Sequence, residues 1–357
     1  MSLDRASLQA LCHAHGFAHV RFATVGPTSH GDDYLAWLDA GKHGEMSFLR
    51  TLLHERIDPR SRMPGAKTAI ALGVEHHHRR PPDPGGRTGM VARYAWGRDY
   101  HNLVGKRLDK LKRAIRATGI ICYAGLDTAP VMERSWANDA GLGFTGKNAM
   151  QILPGRTSWM LLAVIFINVA VEPDRPLQRD HCGSCARCLP ACPTNAFDGP
   201  RDLDARRCIS YWTIEARTLA PPELRPGFGR WILGCDVCQE VCPHNHNPPD
   251  PDEDDFLPRN AWLDLDELLH TPDQELRDRT IGTPLRRPGP VGLKRNALIA
   301  LANLRDPGGL ASIELGLQHA EPVVRAAAVW ALRSLGESLP PGFSDDDPQV
   351  LAELRRA

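Results

Sequence analysis

Apolar positions along the 357-residue chain follow two different periods. Residues 1–17 set Leu3, Leu8 and Leu11 among charged residues, and 100–118 carries Leu103, Leu108, Leu111 and Ile115 on one stripe with lysines and arginines opposite. Both segments therefore predict amphipathic helices. Continuous apolar runs at 66–74, 119–126 and 159–171 predict buried strands instead. The 159–171 run is β-branched-rich and too short to span a bilayer. A Pro/Gly loop at 79–89 and a linker at 172–181 punctuate this half. The acidic, proline-rich stretch 247–256 is expected to cross the surface without packing.

The tail repeats itself. Segment 294–304 aligns with 325–335 at an offset of 31 residues, matching Ala297/Ala328, Leu298/Val329, Leu301/Leu332 and Leu304/Leu335 at helical spacing. Paired helices with such a period resemble HEAT-type units. Two units are too few to stand alone, so they must pack on what precedes them.

Composition changes the picture in two ways. With 42% hydrophobic and 24% charged residues the chain is of the soluble globular class. Its 43 Lys+Arg balance 43 Asp+Glu, so any polyanionic partner must be met by a local patch, not by net charge. The N-terminus lacks a basic region followed by an apolar one, which points away from export and toward the cytoplasm. In that compartment disulfides explain ten cysteines poorly, and thiolates binding metal explain them better.

Eight of those cysteines form a pattern. The first group is Cys182-x2-Cys185-x2-Cys188-x3-Cys192-Pro193; the second is Cys208, then Cys235-x2-Cys238-x3-Cys242-Pro243. Three thiolates at x2 spacing suit one face of a [4Fe–4S] cubane, and the fourth cysteine of such a run ligates the other cluster in two-cluster ferredoxins. On that rule Cys182, Cys185, Cys188 and Cys242 hold cluster 1, and Cys192, Cys208, Cys235 and Cys238 hold cluster 2. The alternative, two zinc sites of four thiolates each, usually shows separated C-x2-C pairs. Cys12 and Cys122 lie in apolar contexts and read as buried structural thiols.

Other motifs carry less. Gly141-x-Gly143-x-x-Gly146 and the following Lys147 mimic nucleotide-binding loops, but residues 131–140 before them are helical and Asn148 replaces the required Ser or Thr. Gly141 is the expected cap of that helix, although a glycine-rich loop can still approach a large flat cofactor. His76, His77 and His78 cannot share one ligand face and are expected to form a solvated strand end. Asp127 alone reads as a turn or cap residue.

Taken together, RYAWGRDYH (93–101), LDT (126–128), AGLGFTGKN (140–148), the cysteine module with RCIS (207–210) and GCDVCQEVCPHN (234–245), and the repeated tail resemble the epoxyqueuosine reductase family. These are cobalamin-dependent iron–sulfur enzymes of tRNA queuosine biosynthesis. The cysteine pattern alone is shared with reductive dehalogenases, whose usual twin-arginine export signal is missing here. A plain ferredoxin-like electron carrier is the third reading.

The resemblance implies an α+β (α/β-like) cobalamin domain over 1–175, related to the nitroreductase-like fold. It also implies a two-cluster ferredoxin-like module over 176–256 and an all-α, HEAT-like, tRNA-binding tail over 257–357. Two [4Fe–4S] clusters, fed by an external electron donor, would supply a cobalamin that reduces the wobble-position epoxide to queuosine. Asp127 would be the proton donor, as a carboxyl that stays protonated. Arg56, Asp127, Gln151 and Leu162 would contact cobalamin. A tRNA partner requires local basic groups, for which Arg206, Arg207, Arg286, Arg287, Lys294 and Arg295 are the candidates. A soluble monomer away from membranes is expected.

Overall fold

The computed structural model describes residues 4–177, 180–248 and 253–356. Leu3 and part of the 247–256 stretch lie outside these. The three apolar runs become strands and a fourth joins them. His19–Thr24, Thr68–Glu75, Met160–Ile167 and Cys122–Gly125 form one sheet in that order, and every neighbouring pair is antiparallel. Antiparallel pairing makes this an α+β sheet with helices on both faces.

Alternation along Thr68–Glu75 sorts the two faces. Ile70, Leu72 and Val74 meet Leu8 and Cys12 of the Arg5–Ala14 helix and Val104, Leu108, Leu111 and Ile115 of the Tyr100–Ala117 helix. Each such buried aliphatic side chain contributes about 1.5–3 kcal/mol. Val104 is fully buried where the stripe had placed Leu103, which packs only partly against the core. Ala69 and Ala71 point the other way, and their small side chains let the Glu133–Asp139 helix approach through Trp136 and Ala137. Cys12 and Cys122 are buried in the first of these cores.

A second sheet joins the segments. Thr88–Val91 pairs in parallel with Trp231–Leu233 and antiparallel with Trp262–Asp264, so one strand comes from each of the stretches 1–175, 176–256 and 257–357. The acidic stretch is corrected by the same region. Phe256 is 1% exposed and its backbone abuts Gly97, where a Cβ would lie 2.1 Å from the Asp255 carbonyl oxygen. His76 and His77 are corrected too: both are buried, His76 between Trp159 and Phe256. That burial pulls the His76 imidazole down to about 3, so it is neutral.

The repeated segments form the helices Gly289–Leu304 and Pro322–Ser334, whose Ala297, Leu298, Ala328 and Val329 are fully buried in one core. Polar groups fasten this layer to the cysteine region. Arg295 donates to the carbonyl oxygens of Trp212, Ala216 and Thr218, and Asn296 donates to those of Thr213 and Ile232. Arg225 pairs with Glu353 at 2.7 Å, both out of water. Lys294 and Arg295, expected on a tRNA-facing surface, are 6% and 2% exposed, and Lys294 pairs with Asp273. They cannot reach a phosphate. Their charge joins layers of the fold instead.

A candidate redox and proton-transfer site

The fold gathers the eight thiols into two groups. Cys182, Cys185, Cys188 and Cys242 line one cavity of about 140 Å³ together with Lys147, Asn148, His181, Arg187 and His244. The Cys192, Cys208, Cys235 and Cys238 thiols lie close enough to act electrostatically on one another. Each group thus takes members from both halves of the sequence pattern. The second group is the deeper. Burial pushes the Cys238 thiol well above its ordinary range, with the neighbouring Cys235, Cys208 and Cys192 adding to it. Thiols in such surroundings ionise only when metal cations share the site. Backbone N–H groups already point at sulfur: Lys147 N to Cys182 Sγ at 3.4 Å and Ala196 N to Cys192 Sγ at 3.3 Å. Donors of this kind stabilise a cluster's sulfurs and tune its potential.

Asp127 sits just beyond the Cys122–Gly125 strand with φ +50°, in the left-handed region that few non-glycine residues adopt. Its carboxylate is half-exposed. Oδ2 accepts from the Tyr100 hydroxyl at 2.8 Å and lies 2.6 Å from His101 Nε2. His101 Nδ1 is 2.7 Å from Asp99 Oδ1, and Asp99 also caps the helix that carries both partners by accepting from the His101 backbone N–H. The N-cap, the imidazole and the acid therefore form one chain of short hydrogen bonds. Burial alone would raise Asp127, but the bonds from His101 and Tyr100 win and hold its carboxyl below the usual range. The bonds from Asp127 and Asp99 push the His101 imidazole up to about 9. This corrects the expectation of a protonated Asp127: at neutral pH the proton rests on His101.

Residues 147–149 tie the thiols to the Glu133–Asp139 helix. The Arg134 guanidinium, on the Glu133–Asp139 helix, donates to the Ala149 carbonyl oxygen; Asn148 Nδ2 donates to Cys238 O at 3.2 Å; Lys147 N points at Cys182. Sequence reasoning had set this loop aside as a false nucleotide motif. Its glycines serve a close approach: at Gly143, φ +108°, a Cβ would lie 2.3 Å from the Ile152 carbonyl oxygen. Gly141 ends the helix as expected, with φ +70° after Ala140.

Three buried oxygens on this segment lack hydrogen-bond partners: Glu133 Oε1, Asn138 Oδ1 and Gln151 Oε1. Buried acceptors of this kind are costly unless a donor arrives. Burial, with the charge of Asp127 adding to it, raises the Glu133 carboxyl to about 7. The corrin of cobalamin carries a ring of carboxamides, whose N–H groups are the donors these oxygens lack. In donor–acceptor chemistry, though not through an open cavity, these residues match that group.

The remaining candidates scatter. Arg56 donates to the carbonyl oxygens of Thr51 and Phe48 at 3.2 and 3.4 Å, bracing its own loop, while its charge reaches Tyr34 and Tyr123. Leu162 is half-buried on the same sheet face as Tyr123 and Phe166. Gln151 donates to the Leu142 carbonyl oxygen at 3.3 Å within its hairpin. Arg206 is occupied by Asp204, Arg207 by Asp198 and Arg287 by Glu215. Arg286 is exposed.

Residues 181–245 match the family profile described as 4Fe-4S double cluster binding domain, and 56–128 match that described as Epoxyqueuosine reductase QueG, DUF1730. The epoxyqueuosine reductase of Pseudomonas aeruginosa is 38% identical over 340 residues, covering 90% of this chain and 92% of that protein. That of Xanthomonas campestris is 38% identical over 314 residues, covering 84% and 87%. A crystal structure of epoxyqueuosine reductase with an epoxyqueuosine-modified tRNA-Tyr stem loop superposes with TM-score 0.90 at 28% identity, covering 98% of this chain and 97% of that one. A Bacillus subtilis epoxyqueuosine reductase with its catalytic aspartate loop swung out of the active site superposes with TM-score 0.85 at 29% identity, covering 98% and 92%.

Proposed function

The chain belongs to the epoxyqueuosine reductase family, and we propose that it reduces the epoxide of epoxyqueuosine in the wobble position of tRNA to give queuosine. The reaction consumes two electrons and two protons and releases the epoxide oxygen as water. Cys182, Cys185, Cys188 and Cys242 would hold one [4Fe–4S] cluster, and Cys192, Cys208, Cys235 and Cys238 the other. Cobalamin would lie against Asp127 and the segment bearing Glu133, Asn138 and Gln151, with Arg56 and Leu162 at its edge. When bound, it would supply a strongly reducing cobalt for cleavage of the carbon–oxygen bond, with electrons from an external donor passing through the clusters. The sheet would be a nitroreductase-like cobalamin domain and the tail a HEAT-like repeat; a soluble, cytoplasmic monomer completes the reading. Among the described residues no helix is long and apolar enough to cross a membrane.

The chain's own chemistry is proton supply. Opening an epoxide leaves an alkoxide, far more basic than any carboxylate, so a proton must stand within hydrogen-bond reach. The observation that carries the reading is Asp127, half-exposed and fixed between Tyr100 and His101. Asp127 faces the substrate, relays the proton held on His101 Nε2 and is left ionised again. Asp99 keeps the imidazole charged and in register.

The test is anaerobic. Protein purified without oxygen should contain iron and cobalt and, supplied with a low-potential chemical reductant such as reduced viologen, should lower the mass of an epoxyqueuosine-containing stem loop by one oxygen. Iron without cobalt binding would leave only the electron-carrier reading; both metals with unchanged RNA would refute the substrate.

A further inference from the structure

We propose that Phe48 and Arg287 form a stacking platform for a nucleobase of the RNA substrate, near Asp127. The inference rests on the tRNA reading and assigns it a surface. Phe48 is 44% exposed and is the only exposed Phe, Tyr or Trp among the described residues. Leu52, in the same loop, is 41% exposed and adopts φ +53°, an outlying conformation for leucine. The loop is nonetheless well tied. Tyr34 donates to the Leu49 carbonyl oxygen at 2.7 Å, and Arg56 holds those of Phe48 and Thr51. A fixed loop that keeps two large apolar groups in water, one of them in a strained turn, marks a binding surface.

Arg287 supplies the second half. Its guanidinium carbon lies 5.7 Å from the Phe48 ring centroid. Its N–H edge is occupied: Nε and Nη2 donate to the Glu215 carboxylate at 3.0 and 2.7 Å. An arginine committed in this way has its Nε/Nη2 fork taken by Glu215 and is held in place, so its guanidinium plane is fixed beside the Phe48 ring. Planar guanidinium and aromatic faces are the surfaces on which single-stranded bases stack. The platform lies within electrostatic reach of the acid, because the Arg287 charge acts on both Asp127 and Tyr100. A base next to the modified nucleotide would thus be held while that nucleotide enters the site. Phe48, which no sequence signal singled out, replaces the phosphate contact expected of Arg287.

The full-length anaerobic protein, a fluorescein-labelled anticodon stem loop and the variants Phe48→Ala and Phe48→Trp test this. Stacking of one base is lost in Phe48→Ala, which should weaken binding about 5- to 150-fold, the equivalent of about 1–3 kcal/mol. The loss should fall on KM more than kcat and leave the salt dependence unchanged, since no phosphate contact is removed. Phe48→Trp should restore binding. Wild-type affinity in Phe48→Ala would overturn the platform alone, and so would a fall in its cobalt content, which would move Phe48 to the cofactor. If the wild-type protein itself fails to bind the stem loop, the tRNA reading falls and the platform with it.

Discussion

The thiol groups and the Asp127 site are encoded in opposite ways. Seven of the eight thiols sit in two short runs whose spacing already matches the ligands of a cubane. The acid site joins Asp99, Tyr100 and His101 at a helix start to Asp127 at a strand end, 26 to 28 positions away. Metal–thiolate bonds need the right atoms at the right spacing, and sequence can supply that. A proton store needs a specific environment, which only the packed fold provides.

That contrast can be broken experimentally, beginning where the effect is largest. If the thiol groups interleave, Cys242→Ala removes the cluster of Cys182, Cys185 and Cys188 and spares the other. Iron should drop from about eight atoms to about four per chain, with turnover abolished. Loss of both clusters, or of neither, would break the pairing.

Asp127→Asn comes next. Iron and cobalt contents should not change, while kcat should fall about 10²- to 10⁴-fold, the usual contribution of a positioned acid. Full turnover would return Asp127 to a turn residue.

The smallest effect is the most diagnostic. His101 is raised to about 9 in the folded chain, so its charge is complete below its unfolded value near 6.5. That charge disappears as pH rises through about 9. Both kcat and the stability supplied by the Asp99–His101–Asp127 chain should therefore decline through that range. Asp99→Asn removes one of the two supports and should move the alkaline limb to lower pH. The His101 imidazole resonance, followed by NMR, should titrate with it. An alkaline limb that stays in place would show that His101 is not the proton store.

Glu133 sharpens the same contrast. Burial raises its carboxyl to about 7, whereas hydrogen bonds lower Asp127 nearby. Two carboxyls pushed apart by their surroundings is how one site can hold both an acid and a base near neutral pH.

Legibility followed the range of each signal. The strand at 66–74, the helix at 100–118 and the paired tail helices were readable because their apolar periodicity is local. The burial of His76 and Phe256 was not, since each is covered by a segment remote in sequence. Lys294 and Arg295 failed for a related reason. Charge predicts exposure until carbonyl oxygens or a carboxylate from another element offer a buried partner, as Trp212, Ala216 and Asp273 do here.

By itself the sequence determined the spacing of eight cysteines and the main helices and strands with local apolar patterns, and named Asp127 only through its resemblance to a family. Tertiary structure decided that a sheet would run through all three segments, that the proton would sit on His101 and not on Asp127, and that Arg287 would turn its face to Phe48. The physical reason is the same each time. Which groups bond, stack or ionise depends on the neighbours that packing brings within a few ångströms, and those neighbours lie far away in the chain.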